Sequence, residues 1–555
     1  MKKFIISLLS LIVLAHSLST VSAQKKNHNF DVARNLELFS SIYKNLDMMY
    51  VDTLDASQVI GTGIKAMLRS LDPYTEYYAP EQVKDLKTML TGKYAGIGAV
   101  VRKNLKTNNV DIDEPYLGMP AQEVGLKKGD EILSIDDSTM IGKTTEYVSS
   151  HLRGDAGTTF LLKIRRPSTG KTMSMKVTRR AIQMPAVPYF GMIDDKVGYI
   201  NLNSFTDECS KDVRRAFIEL RQNGMKGLVF DLRNNGGGSL QEALKIVNMF
   251  VPKDIMLLET KGKIARSNNK YTTTAEPIDT VMPIVVLVNG ITASASEITS
   301  GSLQDLDRAV VLGTRTYGKG LVQLPMELPH NASMKLTTSK YYIPSGRCIQ
   351  AYNYKRNGGG YREHIPDSLT NIFHTRNGRE VRDGGGIKPD VELQPDSLPN
   401  IAFYLSQSGI DSTEVSNTWV VDYIAKHPQI AKAEEFRLTD EDWEDYKKCV
   451  ISSGFKYDRE TSEAYEDLVK VARFEGYYDD AKAEFEALKS KLSHNLEREL
   501  DNNSDIIRRI IESNIVAAYW YQAGRIAHQN TYDKQVIEAK RLVMSAEEYN
   551  KILGR

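Results

Sequence analysis

A serine, a lysine and a run of glycines in this chain have the types and spacing of a hydrolytic active site. Ser294 lies in a stretch rich in small residues, and Lys319 follows 25 residues later between two glycines. A serine hydroxyl is a weak nucleophile until a base takes its proton, and a lysine can be that base when burial lowers its pKa to roughly 7–8. The upstream glycines, 236–238, let backbone amides approach a developing oxyanion closely. Together these features favour a Ser–Lys hydrolase.

The residues around the serine leave the nucleophile open among three hydroxyl groups. Thr292 and Ser296 flank Ser294, and nothing in the composition selects one of the three. Ser294 could also cap the helix that the sequence predicts over residues 296–304. Both roles are compatible, because a nucleophile at a strand-to-helix turn gains from the nearby N–H groups.

Other hydrolytic chemistries have little support in the sequence. None of the nine histidines stands in a His-Glu-x-x-His motif, and there is no Gly-x-Ser-x-Gly elbow, which argues against a zinc protease and an α/β-hydrolase esterase. The glycine run lacks the Gly-Lys-Ser/Thr that a phosphate-binding loop requires. A Ser-His-Asp triad built from distant residues stays open as an alternative. Because a Ser–Lys hydrolase uses only its own side chains and backbone amides, we expect neither a metal nor a cofactor.

The N-terminus and the overall charge predict where the protein acts. Residues 1–23 have a basic start, an apolar run and the small residues Val21-Ser22-Ala23, which is typical of a signal peptide cleaved after Ala23. An uncleaved anchor is the alternative. No later stretch approaches the roughly 20 apolar residues of a spanning helix. The net charge of +1 gives no sign of nucleic-acid binding. We expect an exported, periplasmic protein without stable membrane insertion.

The pattern of apolar residues divides the mature chain into four regions. Residues 30–90 have helical spacing, and residues 91–181 mix short strands and helices in a compact domain with an open sheet edge. Residues 182–400 alternate β-branched apolar runs with helical segments, which favours crossover units and a buried sheet. Residues 401–555 are predicted to be helical and strongly charged. The expected fold class is a multidomain α/β and α+β protein.

Several motifs, taken together and in order, resemble the carboxyl-terminal processing peptidases, also called tail-specific proteases. Single motifs of this kind are weak evidence, but the set covers roughly residues 35–395. The matching segments are Leu71 to Thr75, Gly92 to Gly98, Asp231 to Gly238, Ser294 to Ile298, Gly318 to Gln323, Pro344 to Gln350 and Gly386 to Asp390. The resemblance implies a PDZ domain over residues 91–181, inserted between the N-terminal helices and a Ser–Lys protease core.

The resemblance also implies a role for each matched residue. Ser294 is the expected nucleophile, Lys319 the general base, and Gln323 the residue that orients the lysine. Gly238 and Ala295 are expected to supply the oxyanion-hole amides. In the PDZ domain, the backbone of Gly96, Ile97 and Gly98 is expected to hold the terminal carboxylate of a peptide that adds to the sheet edge, with Ile97 among the residues that line the pocket for the last side chain.

The function that follows is an exported serine endopeptidase acting on proteins or peptides that present an accessible C-terminal tail. The alternative is a catalytically silent scaffold or adaptor that binds peptides through its PDZ domain. The helical regions before and after the core could also pair subunits into a homo-oligomer.

Overall fold

The computed structural model describes residues 28–354, 363–407, 409–457, 460–492 and 495–555. The predicted signal peptide, residues 1–23, therefore lies outside the described residues. Within these residues no helix is both long and apolar enough to cross a bilayer. The four regions follow one another along the chain as helices, a small sheet domain, a large α/β core and a second set of helices.

The first region is mainly helical, as its apolar spacing predicts. Its elements are α1 (28–49), α2 (Ala56–Arg69), β1 (Glu76–Tyr78) and α3 (Val83–Thr91). Helix α2 begins where the Asp55 side chain accepts a hydrogen bond from the amide of Gln58. The strand β1 is a departure from the helical prediction for residues 30–90. It forms because this short segment pairs with a strand of the core, a partner that local spacing does not reveal.

The second region is a compact antiparallel sheet with two short helices. Its elements are β2 (Lys93–Gly96), β3 (Ala99–Asn104), β4 (Asn109–Pro115), α4 (Pro120–Glu123), β5 (Glu131–Ile135), β6 (Ser138–Thr139), α5 (Thr145–Leu152), β7 (Thr159–Arg166), β8 (Lys171–Thr178) and β9 (Arg180–Gln183). The strand order is β3-β4-β5-β7-β8, so β3 is an edge strand, and α5 contacts it. The predicted open sheet edge is present.

The third region contains two large sheets and two small, two-stranded sheets. Its strands are β10 (Tyr189–Met192), β11 (Val197–Asn201), β12 (Gly227–Asp231), β13 (Met256–Gly262), β14 (Asn269–Thr272), β15 (Ile284–Val288), β16 (Val310–Gly313), β17 (Leu321–Glu327), β18 (Ser333–Tyr342), β19 (Tyr352–Asn353), β20 (Glu363–His364), β21 (Ile372–His374), β22 (Glu380–Arg382) and β23 (Val391–Glu392). Its helices are α6 (Cys209–Gln222), α7 (Leu240–Asn248) and α8 (Ala295–Asp305).

The central sheet has the order β10-β11-β12-β15-β16-β23 and is parallel from β11 to β23. Residues 284–288 are all buried, because helices cover both faces of the sheet. This buried crossover sheet confirms the expectation from the alternating apolar runs. In the second sheet, β1 and β13 pair with one side of β18, and β17 pairs with the other.

The fourth region is helical and contacts both preceding regions. Its helices are α9 (Asn400–Ser406), α10 (Val415–Lys426), α11 (Asp440–Ser452), α12 (Glu460–Glu475), α13 (Lys482–Lys491), α14 (Leu496–Asn502), α15 (Ser504–Asn530), α16 (Lys534–Met544) and α17 (Ala546–Ile552). Helices α16 and α17 pack on one face of the central sheet, against residues of β11, β12, β15 and β16. A largely buried ion pair between Arg102 and Glu414 joins the second region to α10.

Candidate active site

Ser294 lies at the turn between β15 and α8. Its backbone has φ +57° and ψ −115°, which is unusual for a residue other than glycine. Such a conformation persists only where its surroundings hold it, and it is often found at functional sites. The turn follows the carboxyl end of a parallel strand, which is the usual place for sites in α/β sheets.

The structure separates the three hydroxyl groups that the sequence leaves open. The Thr292 hydroxyl is fully buried and donates to the Leu232 carbonyl, 2.9 Å away. The Ser296 hydroxyl is also fully buried and donates to the Asn235 carbonyl at 3.0 Å. The Ser294 side chain is partly exposed, and its hydroxyl has no hydrogen bond within the described residues. Ser294 is therefore the member of the three that a substrate can reach.

The glycine turn packs directly against this serine. A β-carbon on Gly237 would lie 2.8 Å from Ser294 Cβ and 3.0 Å from the Ala295 amide nitrogen, so only glycine permits this approach. The backbone amides of Gly238 and Ala295 donate to no acceptor in the part of the chain that the structure describes. Two free donors beside a serine are what an oxyanion hole requires.

Asn235 holds the glycine turn in place, a function that the sequence does not reveal. Its side-chain nitrogen donates to the Leu202 carbonyl at 2.7 Å, and its side-chain oxygen accepts from the Gly237 amide at 2.9 Å. Its backbone carbonyl accepts from the Ala293 amide. This buried amide therefore connects the turn both to β11 and to the serine loop.

Lys319 lies in a loop where glycines allow close packing. A β-carbon on Gly318 would lie 2.2 Å from Ala351 Cβ, and one on Gly320 would lie 2.8 Å from the Gln350 nitrogen. The ammonium nitrogen of Lys319 is 4.5 Å from the ring centre of Tyr74. Burial lowers the pKa of Lys319 to about 8, with a smaller contribution in the same direction from Lys335.

Glu297 connects the serine loop to the lysine loop. Its carboxylate is fully buried and accepts from the amides of Ser294 and Lys319, each at 2.9 Å. The same carboxylate accepts from the Gly318 amide at 2.7 Å and from the Thr316 hydroxyl at 2.5 Å. The Ser-x-x-Glu spacing typical of a helix capping box is the sequence signal for this residue.

Gln323 lies on β17, four residues after the lysine. Its side-chain nitrogen donates to the Thr337 hydroxyl at 3.2 Å. Among the described residues, no hydrogen bond joins the side chains of Ser294, Lys319 and Gln323 to one another. The structure thus brings the three residues to one region without aligning them for proton transfer.

The predicted carboxylate loop of the second region lies between β2 and β3. The amides of Ile97 and Gly98 donate to no acceptor within the described ranges. Gly96 and Gly98 are buried, and Gly98 has φ +71°. The Ile97 side chain is only 3% exposed and packs in the core of this domain, and its role in lining a peptide pocket stays a prediction.

Comparison with known protein families agrees with this architecture. The model of peptidase family S41 matches residues 196–358, and the PDZ domain model matches residues 112–166. A third model, described as "Probable PDZ-protease, C-terminal helical domain", matches residues 406–543.

Curated relatives carry the names of one group of enzymes. The chain is 34% identical over 345 residues to the "Carboxy-terminal-processing protease" of Bartonella bacilliformis, an alignment that covers 61% of this chain and 77% of that protein. It is 34% identical over 328 residues to the "Probable CtpA-like serine protease" of Staphylococcus aureus strain N315, which covers 58% of this chain and 64% of that protein.

Solved structures also resemble the chain, at low overall superposition. The photosystem II D1 C-terminal processing protease aligns at 26% identity and a TM-score of 0.35, covering 64% of this chain and 87% of its own. The tricorn protease aligns at 18% identity and a TM-score of 0.29, covering 54% of this chain and 27% of its own. On the sequence matches, the chain is a serine protease with a PDZ domain and belongs to peptidase family S41, among the carboxy-terminal-processing proteases.

Proposed function

We propose that this protein is an exported serine endopeptidase in which Ser294 is the nucleophile and Lys319 the general base. The observation that carries the proposal is the bridge made by Glu297. One buried carboxylate binds the backbone amides of both residues, so two positions 25 residues apart share one site. The accessible Ser294 hydroxyl and the partly buried amine of Lys319 are the groups that the reaction needs.

In the first step the neutral Lys319 amine takes the proton from the Ser294 hydroxyl while the oxygen attacks the scissile carbonyl carbon. The carbonyl oxygen becomes an oxyanion that accepts hydrogen bonds from the amides of Gly238 and Ala295. As the tetrahedral intermediate collapses, the C–N bond breaks and the Lys319 ammonium gives its proton to the leaving amine. Water then attacks the acyl-enzyme by the same route, and the serine is released.

The arrangement in the structure corresponds to a resting state. The Lys319 side chain must move from the Tyr74 ring toward Ser294, where its ammonium form donates a hydrogen bond to the side-chain oxygen of Gln323. In this scheme Gln323 fixes the direction of the amine but takes no proton. The reaction needs no metal or cofactor in the steps proposed.

The PDZ domain is proposed to select substrates by their free C-terminus. The amides of Ile97 and Gly98 would hold the terminal carboxylate, and the peptide would pair with the open edge of β3. A β-carbon on Gly96 would lie 3.2 Å from the Tyr94 ring, so glycine fits best at this end of the loop.

Digestion of casein by the purified wild type and three variants tests the catalytic assignment. Ser294→Ala and Lys319→Ala are expected to lose cleavage, while Ser296→Ala, a neighbouring hydroxyl fixed to the backbone, is expected to keep it. If the wild-type protein binds C-terminal peptides but cleaves nothing, the chain is the scaffold or adaptor that the sequence left as an alternative. Cleavage retained by Ser294→Ala would contradict the assignment of the nucleophile.

Export is proposed from the N-terminal sequence alone. The expected mature N-terminus is Gln24, because the small residues of the cleavage site end at Ala23. N-terminal sequencing of the protein recovered from the periplasmic fraction tests this directly. A protein that retains residues 1–23 in that fraction would support the uncleaved anchor instead.

We further propose that α1 pairs with the same helix of a second chain. Apolar and aromatic residues recur with the alternating spacing of four and three that is typical of a coiled-coil seam, at Val32, Leu36, Phe39, Tyr43 and Leu46 in α1 and at Tyr50 just after its end. All of these except Tyr43 are exposed. Light scattering should find a dimer that Leu36→Glu dissociates, while Lys44→Glu, which lies off the seam, leaves it intact. A monomeric wild-type protein would contradict this proposal.

A further inference from the structure

The turn that precedes β1 reaches the active site from outside the segments matched by the family models. Asp72 organises this turn: one of its side-chain oxygens accepts from the amides of Tyr74 and Thr75, each at 2.8 Å. The other oxygen accepts from the Thr75 hydroxyl at 3.0 Å. Asp72 is 9% exposed and Thr75 is 3% exposed, so the hydrogen bonds that hold the turn are shielded from water.

Tyr74 presents its ring to the amine of Lys319. The centre of the ring is 4.5 Å from the ammonium nitrogen, within the range of a cation–π interaction. The Tyr74 hydroxyl is hydrogen-bonded to the hydroxyls of Tyr317 and Tyr354, at 3.2 and 3.0 Å. The ring of Tyr354 packs edge-on against it, with the ring centres 5.9 Å apart. The position of the Tyr74 ring is therefore set by its neighbours and not by the lysine.

The same turn also reaches Gln323. The Thr337 hydroxyl donates to Asp72 at 3.3 Å and accepts from the Gln323 side-chain nitrogen at 3.2 Å. The Thr337 amide in turn donates to the Thr75 hydroxyl. This relay fixes which way the Gln323 amide is turned, and its side-chain oxygen has no donor among the described residues. That oxygen is the acceptor that an ammonium group needs.

We propose that Asp72 and Tyr74 are positioning residues of the catalytic site: Tyr74 holds the resting Lys319 amine against its ring, and Asp72 orients the Gln323 amide through Thr337. The inference rests on the proposed roles of Ser294 and Lys319. Its physical basis is that a ring face attracts the ammonium form but not the neutral amine. Loss of the proton therefore releases the amine from the ring and frees it to approach Ser294.

The ring has two opposing effects on the protonation of the lysine. It excludes water from one side of the amine, which disfavours the ammonium form, and its face attracts that form. The other charged groups that face Lys319 are Lys335 on β18, Glu76 on β1, Glu297 on α8 and Asp72 in the turn. Because these groups are unchanged when Tyr74 is replaced, substitutions at Tyr74 isolate the two effects of the ring.

Three replacements of Tyr74 test the proposal. The measurement is the pH profile of kcat/KM for a peptide substrate, whose acidic limb reports the pKa of the base in the free enzyme. Tyr74→Phe keeps the ring and should leave the limb where it is. Tyr74→Leu keeps an apolar side chain beside the amine but removes the attraction of the ring face for the ammonium form. The acidic limb should therefore move to lower pH by roughly half a unit. Tyr74→Ala admits water and should move it up by about one unit. Tyr77→Leu, the same change three residues later on β1, should have no effect.

A second set of variants tests the relay to Gln323. Thr337→Val removes the hydroxyl at nearly constant shape and should lower kcat by about tenfold without moving the limb, because the Gln323 amide loses its orientation. Thr337→Ser keeps the hydroxyl and should restore the rate, and Thr338→Val, the next residue on β18, should behave as the wild type.

The outcomes separate this inference from the proposed function. If Lys319→Ala stays active, the proposed function fails. If Lys319→Ala is inactive but the acidic limbs of Tyr74→Leu and Tyr74→Phe both lie at the wild-type pH, the role proposed for Tyr74 is wrong. The Leu and Phe variants decide this even if Tyr74→Ala does not fold. A Thr337→Ser variant as slow as Thr337→Val would overturn the role of Asp72 and Thr337.

Discussion

The buried carboxylate of Glu297 accepts a hydrogen bond from the backbone amide of Lys319, with oxygen and nitrogen 2.9 Å apart. Four donors from two loops converge on this carboxylate, and a carboxylate is the side chain that can accept from all of them. The spacing between the serine and lysine loops therefore depends on a residue that need not touch the substrate.

Glu297→Gln should disrupt both loops. One end of the glutamine amide is an NH2 group, which cannot accept the hydrogen bonds that a carboxylate oxygen now accepts from the loops. We expect a loss of about 1–3 kcal/mol in the free energy of unfolding and a fall in kcat of about a hundredfold. Urea unfolding and peptide cleavage measure the two effects. The matched control is Glu327→Gln, an exposed position expected to change stability by less than about 0.5 kcal/mol. Equal behaviour of the two variants would contradict the role assigned to Glu297.

Activity should rise with pH through about 8, because only the neutral form of Lys319 can act as a base and burial lowers its pKa to about that value. The folded pKa lies below the unfolded value of 10.5, so between these two pH values the unfolded chain binds more protons. Stability should therefore increase with pH across this window. A pH profile of kcat/KM, taken with urea unfolding at each pH, tests both statements.

Lys319→Met should give an inactive but more stable protein at pH 7. The buried ammonium costs the wild type stability below pH 8, and the thioether side chain does not, so we expect a gain of about 1–3 kcal/mol. The gain should disappear at pH values above 10.5, where the lysine is neutral in both states. A variant that is no more stable than the wild type at pH 7 would show that the amine is well solvated.

Gly238→Ala should abolish cleavage and destabilise the fold. The residue has φ +142°, and a β-carbon there would lie 2.4 Å from the Phe205 carbonyl oxygen. We expect a loss of about 1–3 kcal/mol from the strained backbone and a misplaced amide. Gly236→Ala is the control, because nothing lies within 4 Å of its β-carbon position. Thermal melting and peptide cleavage should distinguish the two alanine variants clearly.

Gly98→Ala should weaken binding of peptides by their free C-terminus. A β-carbon there would lie 2.5 Å from Met119 Cβ, and the loop must shift to accommodate it. Gly118→Ala shares the positive φ, +69° against +71°, but has open space around it, so it controls for backbone strain alone. Fluorescence anisotropy with a labelled peptide should show at least tenfold weaker binding for Gly98→Ala only. Amidation of the peptide C-terminus should weaken wild-type binding similarly; tight binding of the amidated peptide would argue against carboxylate recognition.

The sequence alone determined the architecture and predicted which residues form the main site. Short, β-branched apolar runs such as residues 284–288, alternating with helical segments, favoured strands buried on both faces, and the crossover sheet is present. The glycine run at 236–238 predicted a close backbone approach, and Gly237 packs directly against Ser294. Local spacing carries this information because it reflects which groups must be buried and which backbone conformations are allowed.

Only the tertiary structure decided which hydroxyl is free and what surrounds the lysine. Thr292, Ser294 and Ser296 are equivalent by composition, but two of them are buried and bonded to backbone carbonyls. Tyr74 reaches Lys319 because β1 pairs with β18, a contact between residues more than 240 positions apart in the chain. Burial, and hence the pKa of an amine, depends on such distant neighbours, and no local pattern of residues records them.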